Sequence, residues 1–391
     1  MSDSISVTTH NSYGSRLGNS FKSILWWIVL IIISIVILAW NENNYVKQKS
    51  ALKEWASIVQ ETSSDQINPE LEWKEIHLYW TTSSDDEQLQ DNIFGISTND
   101  LKLKRTVEMY QWYEESSETC SDNLWWSQDC TTEYSYHKKW SDEHISSNNF
   151  YQSSTHENPS DWEFESNERI KEPITLWAYT LTDEFVNQLI DYKTIDLSGQ
   201  NFAISQNEKF HINGDQIYIW TDPNQPAIWD LRITFSSIKP YTVSIVWKQL
   251  WNELTSYTVS NGRSIALLEA WNVSAEDMFL HAQKANQMMT WIIRLVWLLL
   301  MFCGFSALFR FIEILAKVIP FLSNIIGVWT SIIALWLTLI VWFITIWVAW
   351  LAVRPIIGIS CLAVASGWMY LLMKSKKSKN NEQVEITNTN M

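Results

Sequence analysis

The chain has 391 residues, 47% of them hydrophobic, and a net charge of -15. Its mean hydropathy is only -0.11, so the apolar residues must be gathered into segments rather than spread along the chain. Residues 41–294 carry 19 Lys and Arg against 39 Asp and Glu, which argues against nucleic acid or an anionic bilayer as partner of this region, because both rely on clustered basic groups.

In chain order, a tail at 1–22 precedes the uncharged run Ile24–Trp40, "ILWWIVLIIISIVILAW", long enough at about 1.5 Å per residue to cross most of a hydrocarbon core. The spacing predicts a transmembrane helix over 23–41. The alternative is a cleaved signal peptide, whose apolar run is usually shorter. Tyr45, Lys49, Leu52, Ala56 and Val59 then recur at helical spacing, which predicts an amphipathic helix leaving the membrane.

From Glu75 to Ile96 the pattern turns strand-like with polar breaks, and "VEMYQWYEE" alternates with period two. "TTEYSYHKKW" alternates as well. Pairing the two around "NLWWSQ" sets Trp112 opposite Lys138 and Tyr110 opposite Trp140, an antiparallel hairpin with aromatic and charge pairs on its faces. Cys120 and Cys130 lie symmetrically about the same loop. In an oxidising compartment they can form a disulfide; otherwise they are two free thiols.

Further strands are expected at 216–220, 230–236, 242–248 and 264–269. Ser274 and Asp277 form a capping box that starts a helix. Its apolar face would run through Met278, Phe279, Ala282, Ala285 and Met289 into a second span at 291–309, with Arg294 near enough to the end to snorkel. A cytosolic loop at 310–324, a third span at 325–353, a fourth at 356–373 and a basic tail at 374–391 complete the chain. Arg16, Lys22, Arg310, Lys317, Lys374, Lys376, Lys377 and Lys379 all fall on one side of these spans, so both termini are expected in the cytosol and 42–290 outside it or in a lumen.

The fold class expected is thus an α+β membrane protein: four transmembrane helices with a large β-rich extracytoplasmic domain between the first two. Its partners are the lipid bilayer and other membrane proteins, including a second copy of itself.

Chemistry is hard to find. His10, His77, His137, His144, His156, His211 and His281 have no metal-ligand spacing, and Cys303 and Cys361 fall in apolar spans. Nucleophile elbows, phosphate-cradling glycine loops and dinucleotide fingerprints are missing. Pairs such as Asp85-Asp86 and Glu114-Glu115 are what so acidic a region contains by chance. No catalytic, cofactor-binding or metal-binding residue is assigned, and no enzyme activity or cofactor is expected.

Composition holds one anomaly. Tryptophan occurs 25 times and glycine only 10 times, where glycine usually makes up about 7% of a chain. Several tryptophans stand beside polar turn residues, as in "YIWTDPNQP", "AIWDLR", "QLWNELTSY" and "EAWNVSAED", where turn chemistry favours glycine. Trp336 and Trp342 fall near the middle of a span rather than at its interface. These features are what a gene reading UGA as glycine would produce when translated with UGA as tryptophan; the alternative is a protein unusually rich in tryptophan.

The strings "SRLGNSFKSIL", "VEMYQW", "YSYHKKWSD", "HENPS", "DLRITFS", "VSAEDMF" and "TWIIRL", followed by the Arg354-Pro355 corner, occur in this order between Arg16 and Lys374. Together they resemble the transmembrane protein 43 family, also called LUMA. The resemblance implies four spans, cytosolic termini and a large extracytoplasmic domain. For animal members it implies the endoplasmic reticulum and inner nuclear membrane, a role in organising membrane complexes, and contacts with emerin and lamins. Where the family usually has Asn-Glu-Gly-Arg after the first span, this chain has Asn41, Glu42, Asn43 and Asn44. The resemblance implies a tendency to glycine where this chain has Trp80, Trp177, Trp220, Trp229 and Trp297. UGA recoding would point to a bacterial source and a plasma membrane, where lamins and emerin do not apply.

The function expected is a multi-pass scaffold acting through its outer domain. The alternatives are a membrane-tethered enzyme acting on envelope lipid or peptide, and an auxiliary subunit of a transporter.

Overall fold

The computed structural model describes residues 3–62, 67–123, 127–199, 202, 210–219, 222, 224–251, 253–255, 257–316 and 320–353. The expected fourth span at 356–373 and the basic tail at 374–391 lie outside the described residues. The chain divides into two compact units, Met1–Asn11 with Ala51–His281, and Ser12–Ser50 with Ala282–Met391.

Among the described residues three helices are long and apolar enough to cross a membrane, and the β-rich region lies between the first and second of them. They are α1 (Tyr13–Ala56), α2 (Ala275–Ala316) and α3 (Pro320–Val353). The first span and the amphipathic helix expected to continue from it are one helix of 44 residues, about 66 Å at the α-helical rise. No proline or glycine between Trp27 and Ala56 interrupts it. Its buried positions Leu38, Asn41, Glu42, Ala51, Leu52 and Trp55 follow the three-to-four residue repeat of one helical stripe.

At the start of α2, Ser274 Oγ accepts from the Asp277 backbone N–H at 3.2 Å and donates to the Asp277 carboxylate at 2.7 Å. Met278 and Phe279 are buried as expected, whereas Met289 is exposed. The polar Thr290 and Arg294 take the covered stripe there instead.

The β-rich unit holds β1 (Asp3–Asn11), β2 (Glu75–Thr81), β3 (Lys102–Asp122), β4 (Gln128–Ser141), β5 (Phe210–Asn213), β6 (Gln216–Ile219), β7 (Leu231–Ile238), β8 (Thr242–Leu250) and β9 (Leu267–Ala270), with shorter pairings between them. One antiparallel sheet runs β1-β4-β3-β7-β6-β5. Along β7, Leu231, Ile233 and Phe235 are buried and Arg232, Thr234 and Ser236 are less covered, the period of two that a one-sided sheet requires. They pack with Leu103, Val107, Met109, Phe94 and Ile217.

In the second sheet β8 lies between β2 and β9. Residues 243–247 of β8 are buried in succession, because both faces of this strand are covered. Here the core gathers Ile76, Leu78, Tyr179, Phe185, Ile245 and Trp247.

The segment at 1–22 differs most from expectation. Instead of a tail, Asp3–Asn11 forms a strand along β4, and α1 begins two residues later.

Candidate functional site: a strand-accepting hairpin

The long hairpin β3/β4 has the expected register: Tyr110 faces Trp140 and Trp112 faces Lys138. Its aromatic and cationic residues meet as ring contacts. Lys138 Nζ lies 4.4 Å from the Trp112 ring centroid, Lys139 Nζ 3.9 Å from Tyr113, and the Arg232 guanidinium 4.7 Å from Trp140. Such contacts favour cations over the electron-rich ring face. Cys120 and Cys130 are paired across the ladder with their sulfurs 2.00 Å apart. Glu118 stands beside them, the only group of three potential metal ligands among the described residues; sulfurs joined to each other cannot serve as thiolate ligands.

Three of the quoted motifs converge on this hairpin. His156 of "HENPS" is buried, stacked on Tyr136 with ring centroids 3.7 Å apart and edge-on to Trp112 at 4.6 Å. Its Nε2 lies 2.8 Å from the Asp3 carboxylate of β1. Tyr136 donates to Glu114 at 2.7 Å and accepts from the Gln152 N–H at 2.9 Å. Burial first, and then the bond to the Glu114 carboxylate, push the Tyr136 phenol up to about 12. Asn158 accepts from the Trp112 N–H at 2.7 Å and donates to the Trp112 and Ile145 carbonyls at 2.8 and 3.0 Å. One carboxamide thus finishes the open edge of β3 at this residue.

Backbone direction defines the two edges of the hairpin. Cys120 and Cys130 have Cα atoms 4.0 Å apart, the close spacing of a non-hydrogen-bonded pair. Even-numbered residues of both strands therefore aim their N–H and C=O groups away from the hairpin. On β3, Tyr110 meets Trp229 and Asp230, and Trp112 meets Asn158. Beyond Trp112 no strand pairs with this edge among the described residues.

On the other edge, β4 accepts β1 over nine register positions, from Asp3 opposite Tyr136 to Asn11 opposite Gln128. Side chains reinforce the ladder: Thr8 and Thr131 hydroxyls are 3.0 Å apart, His10 Nδ1 lies 2.6 Å from Asp129, and Thr9 donates to the Cys130 carbonyl at 3.3 Å. Pairing puts Asp3–Asn11 on the same side of any bilayer as β4. A single crossing by Ile24–Trp40 would put them on opposite sides, so the docked strand and the expected cytosolic tail exclude each other.

A second built site lies in the helical unit. Glu42 is fully buried and Arg294 nearly so, and they form a two-pronged ion pair, Nε to Oε1 and Nη2 to Oε2, both 2.6 Å. Trp350 Nε1 donates to Glu42 at 2.7 Å, and the guanidinium lies 4.6 Å from the Trp291 ring centroid. A cavity of about 160 Å³ beside the pair is lined by Tyr45, Lys49, Gln287, Trp291, Arg294 and Trp350 among others. Arg294 therefore does not snorkel. Its partner was legible only as an acid at the end of one span and a base at the start of the next.

The remaining histidines scatter. His77 is buried against the Val273 carbonyl, and His281 lies 3.0 Å from Glu269. Burial holds the His77 imidazole below its ordinary 6.5, against the opposing effect of the Val273 carbonyl.

Long apolar helices with a buried ion pair among them, and between the first two in sequence a β-rich domain with a strand-holding hairpin, define an integral membrane protein of the α+β class. A profile of the family described as Transmembrane protein 43 matches residues 109–355, and the chain belongs to that family. Transmembrane protein 43 of Mus musculus is 28% identical over 327 residues, 78% of each chain. The Homo sapiens protein is 26% identical over 325 residues, again 78% of each. The Transmembrane protein 43 homolog of Drosophila melanogaster is 27% identical over 370 residues, 92% of this chain and 96% of its own. No solved structure matches.

Proposed function

We propose that the protein is a multi-pass membrane scaffold that recruits other membrane proteins, or a second copy of itself, by adding their strands to the edges of the β3/β4 hairpin. The observation that carries this reading is the nine-position docking of β1 on β4, a distant segment held by edge pairing and a few short polar contacts. Added strands gain affinity from main-chain hydrogen bonds and selectivity from alternate side chains. A bridge between Cys120 and Cys130 stiffens the end of the platform. The proposed topology has four spans, with residues 1–22 and the basic tail in the cytosol and the hairpin outside a bacterial plasma membrane. That topology separates Asp3–Asn11 from β4, so the pairing in the structure supports this reading only as a sign that the β4 edge accepts a strand, which a partner supplies in the membrane.

Mild-detergent affinity purification with mass spectrometry tests the scaffold. Thr132→Pro removes one N–H aimed at the β4 edge and leaves the ladder to β3 intact, so it should lose the partners that the wild type retains. Identical recovery with both proteins, or no partner and no self-association with either, rejects the reading. The pair Thr8→Cys and Thr131→Cys tests the topology. A cross-link formed in intact membranes would show that β1 itself fills the edge and would overturn the partner assignment.

A further inference from the structure

Among the described residues, backbone φ is positive at Gly95, Gly199, Gly214 and Gly262, and at five residues that are not glycine. All five are tryptophan: Trp73 (φ 66°), Trp177 (53°), Trp229 (84°), Trp251 (54°) and Trp271 (72°). A side chain in this region clashes with its own backbone. The L-residues that do enter it are mostly Asn, Asp and His, whereas a bulky one there is an outlier. Among the described residues no Asn, Asp or His takes such a position.

Trp177 lies edge-on to Trp80 at 5.9 Å and Lys248 Nζ lies 5.2 Å from the Trp73 ring centroid, contacts made at the surface, where none of the five tryptophans is buried. They are exposed by 61, 60, 59, 74 and 66% in chain order. Their backbones, by contrast, are engaged at turns. Trp73 N–H donates to the Gln249 carbonyl, Trp229 to Tyr110, Trp271 to Thr242, and Trp251 to the Glu72 carboxylate. Trp177 joins two strands, Ile174–Leu176 and Tyr179–Thr180, that pair directly. At these turns the backbone takes the left-handed conformation whatever side chain it carries, which is the circumstance glycine serves.

We infer that positions 73, 177, 229, 251 and 271 are glycine in the protein as its own cell makes it, the gene being read with UGA as glycine. Composition and backbone geometry point the same way independently. The tryptophans that fill space stand apart: Trp55 and Trp247 are fully buried, Trp55 against Phe279 and Trp247 against Tyr179. These two remain tryptophan, since glycine would leave a large cavity.

Peptide sequencing by mass spectrometry of the protein from its native source decides the matter. Glycine is expected at the five positions and tryptophan at 55 and 247; tryptophan at the five overturns the inference. Recombinant full-length protein supplies a second readout. Trp177→Gly, Trp229→Gly and Trp271→Gly should each raise the thermal midpoint, while Trp247→Gly should lower it. A fall for all three turn variants would equally count against the inference.

Discussion

Each unit of the molecule buries an Arg–carboxylate pair with a shortest contact of 2.6 Å, yet the two pairs are built differently. In the β-rich unit Arg105 and Asp91 lie 14 residues apart, and backbone completes both. The other Asp91 oxygen accepts from the Ile93 and Phe94 N–H groups, and Arg105 Nε donates to the Glu165 carbonyl. In the helical unit Glu42 and Arg294 are 252 residues apart and satisfy each other with two prongs and one indole. Helices consume their own backbone groups, so a buried charge among them must be met by side chains. Loops between strands leave backbone free to share the task.

The comparison is sharpest where one partner is removed. Glu42→Ala leaves Arg294 buried without a counter-charge and should cost about 3–5 kcal/mol, measured as lost resistance to thermal inactivation in detergent. Asp91→Ala should cost less, because the Glu165 carbonyl still holds Arg105; equal losses would erase the distinction drawn here. Reducing Cys120 and Cys130 should destabilise the hairpin end by about 2–3 kcal/mol, seen as faster hydrogen exchange near residues 115–135 with the helical unit unchanged.

Acid should act on the β-rich unit through His77. Its folded pKa lies below 6.5, so the unfolded chain binds the proton more readily, and stability falls as pH drops below that value. His77→Gln should flatten this part of the pH profile in thermal unfolding. The smallest effect belongs to Lys138→Ala, which removes one exposed ring contact worth about 0.5–1 kcal/mol and should leave the pairing of β3 with β4 intact by circular dichroism.

Much of the hairpin was legible because period-two alternation in "VEMYQWYEE" and "TTEYSYHKKW" allows one register that pairs rings with cations, and the symmetric cysteines fall in the same register. The capping box at Ser274 was legible for a similar reason, since a cap is made by residues three apart. The strand Asp3–Asn11 gave no such signal: "DSISVTTHN" is short and polar, and only the vacant edge of β4 makes it a strand. His156 was likewise invisible as a buried group, because a lone histidine in a polar loop carries no periodicity.

Local and periodic properties were therefore determined by sequence alone: which segments are apolar enough for lipid, which alternate, where a helix starts, and that glycine is scarce where turns need it. Tertiary structure alone decided which distant groups meet. The pairing of Glu42 with Arg294, the seat of His156 on Tyr136, and the five tryptophans with positive φ depend on where chain folding delivers each backbone, which no neighbouring residue encodes.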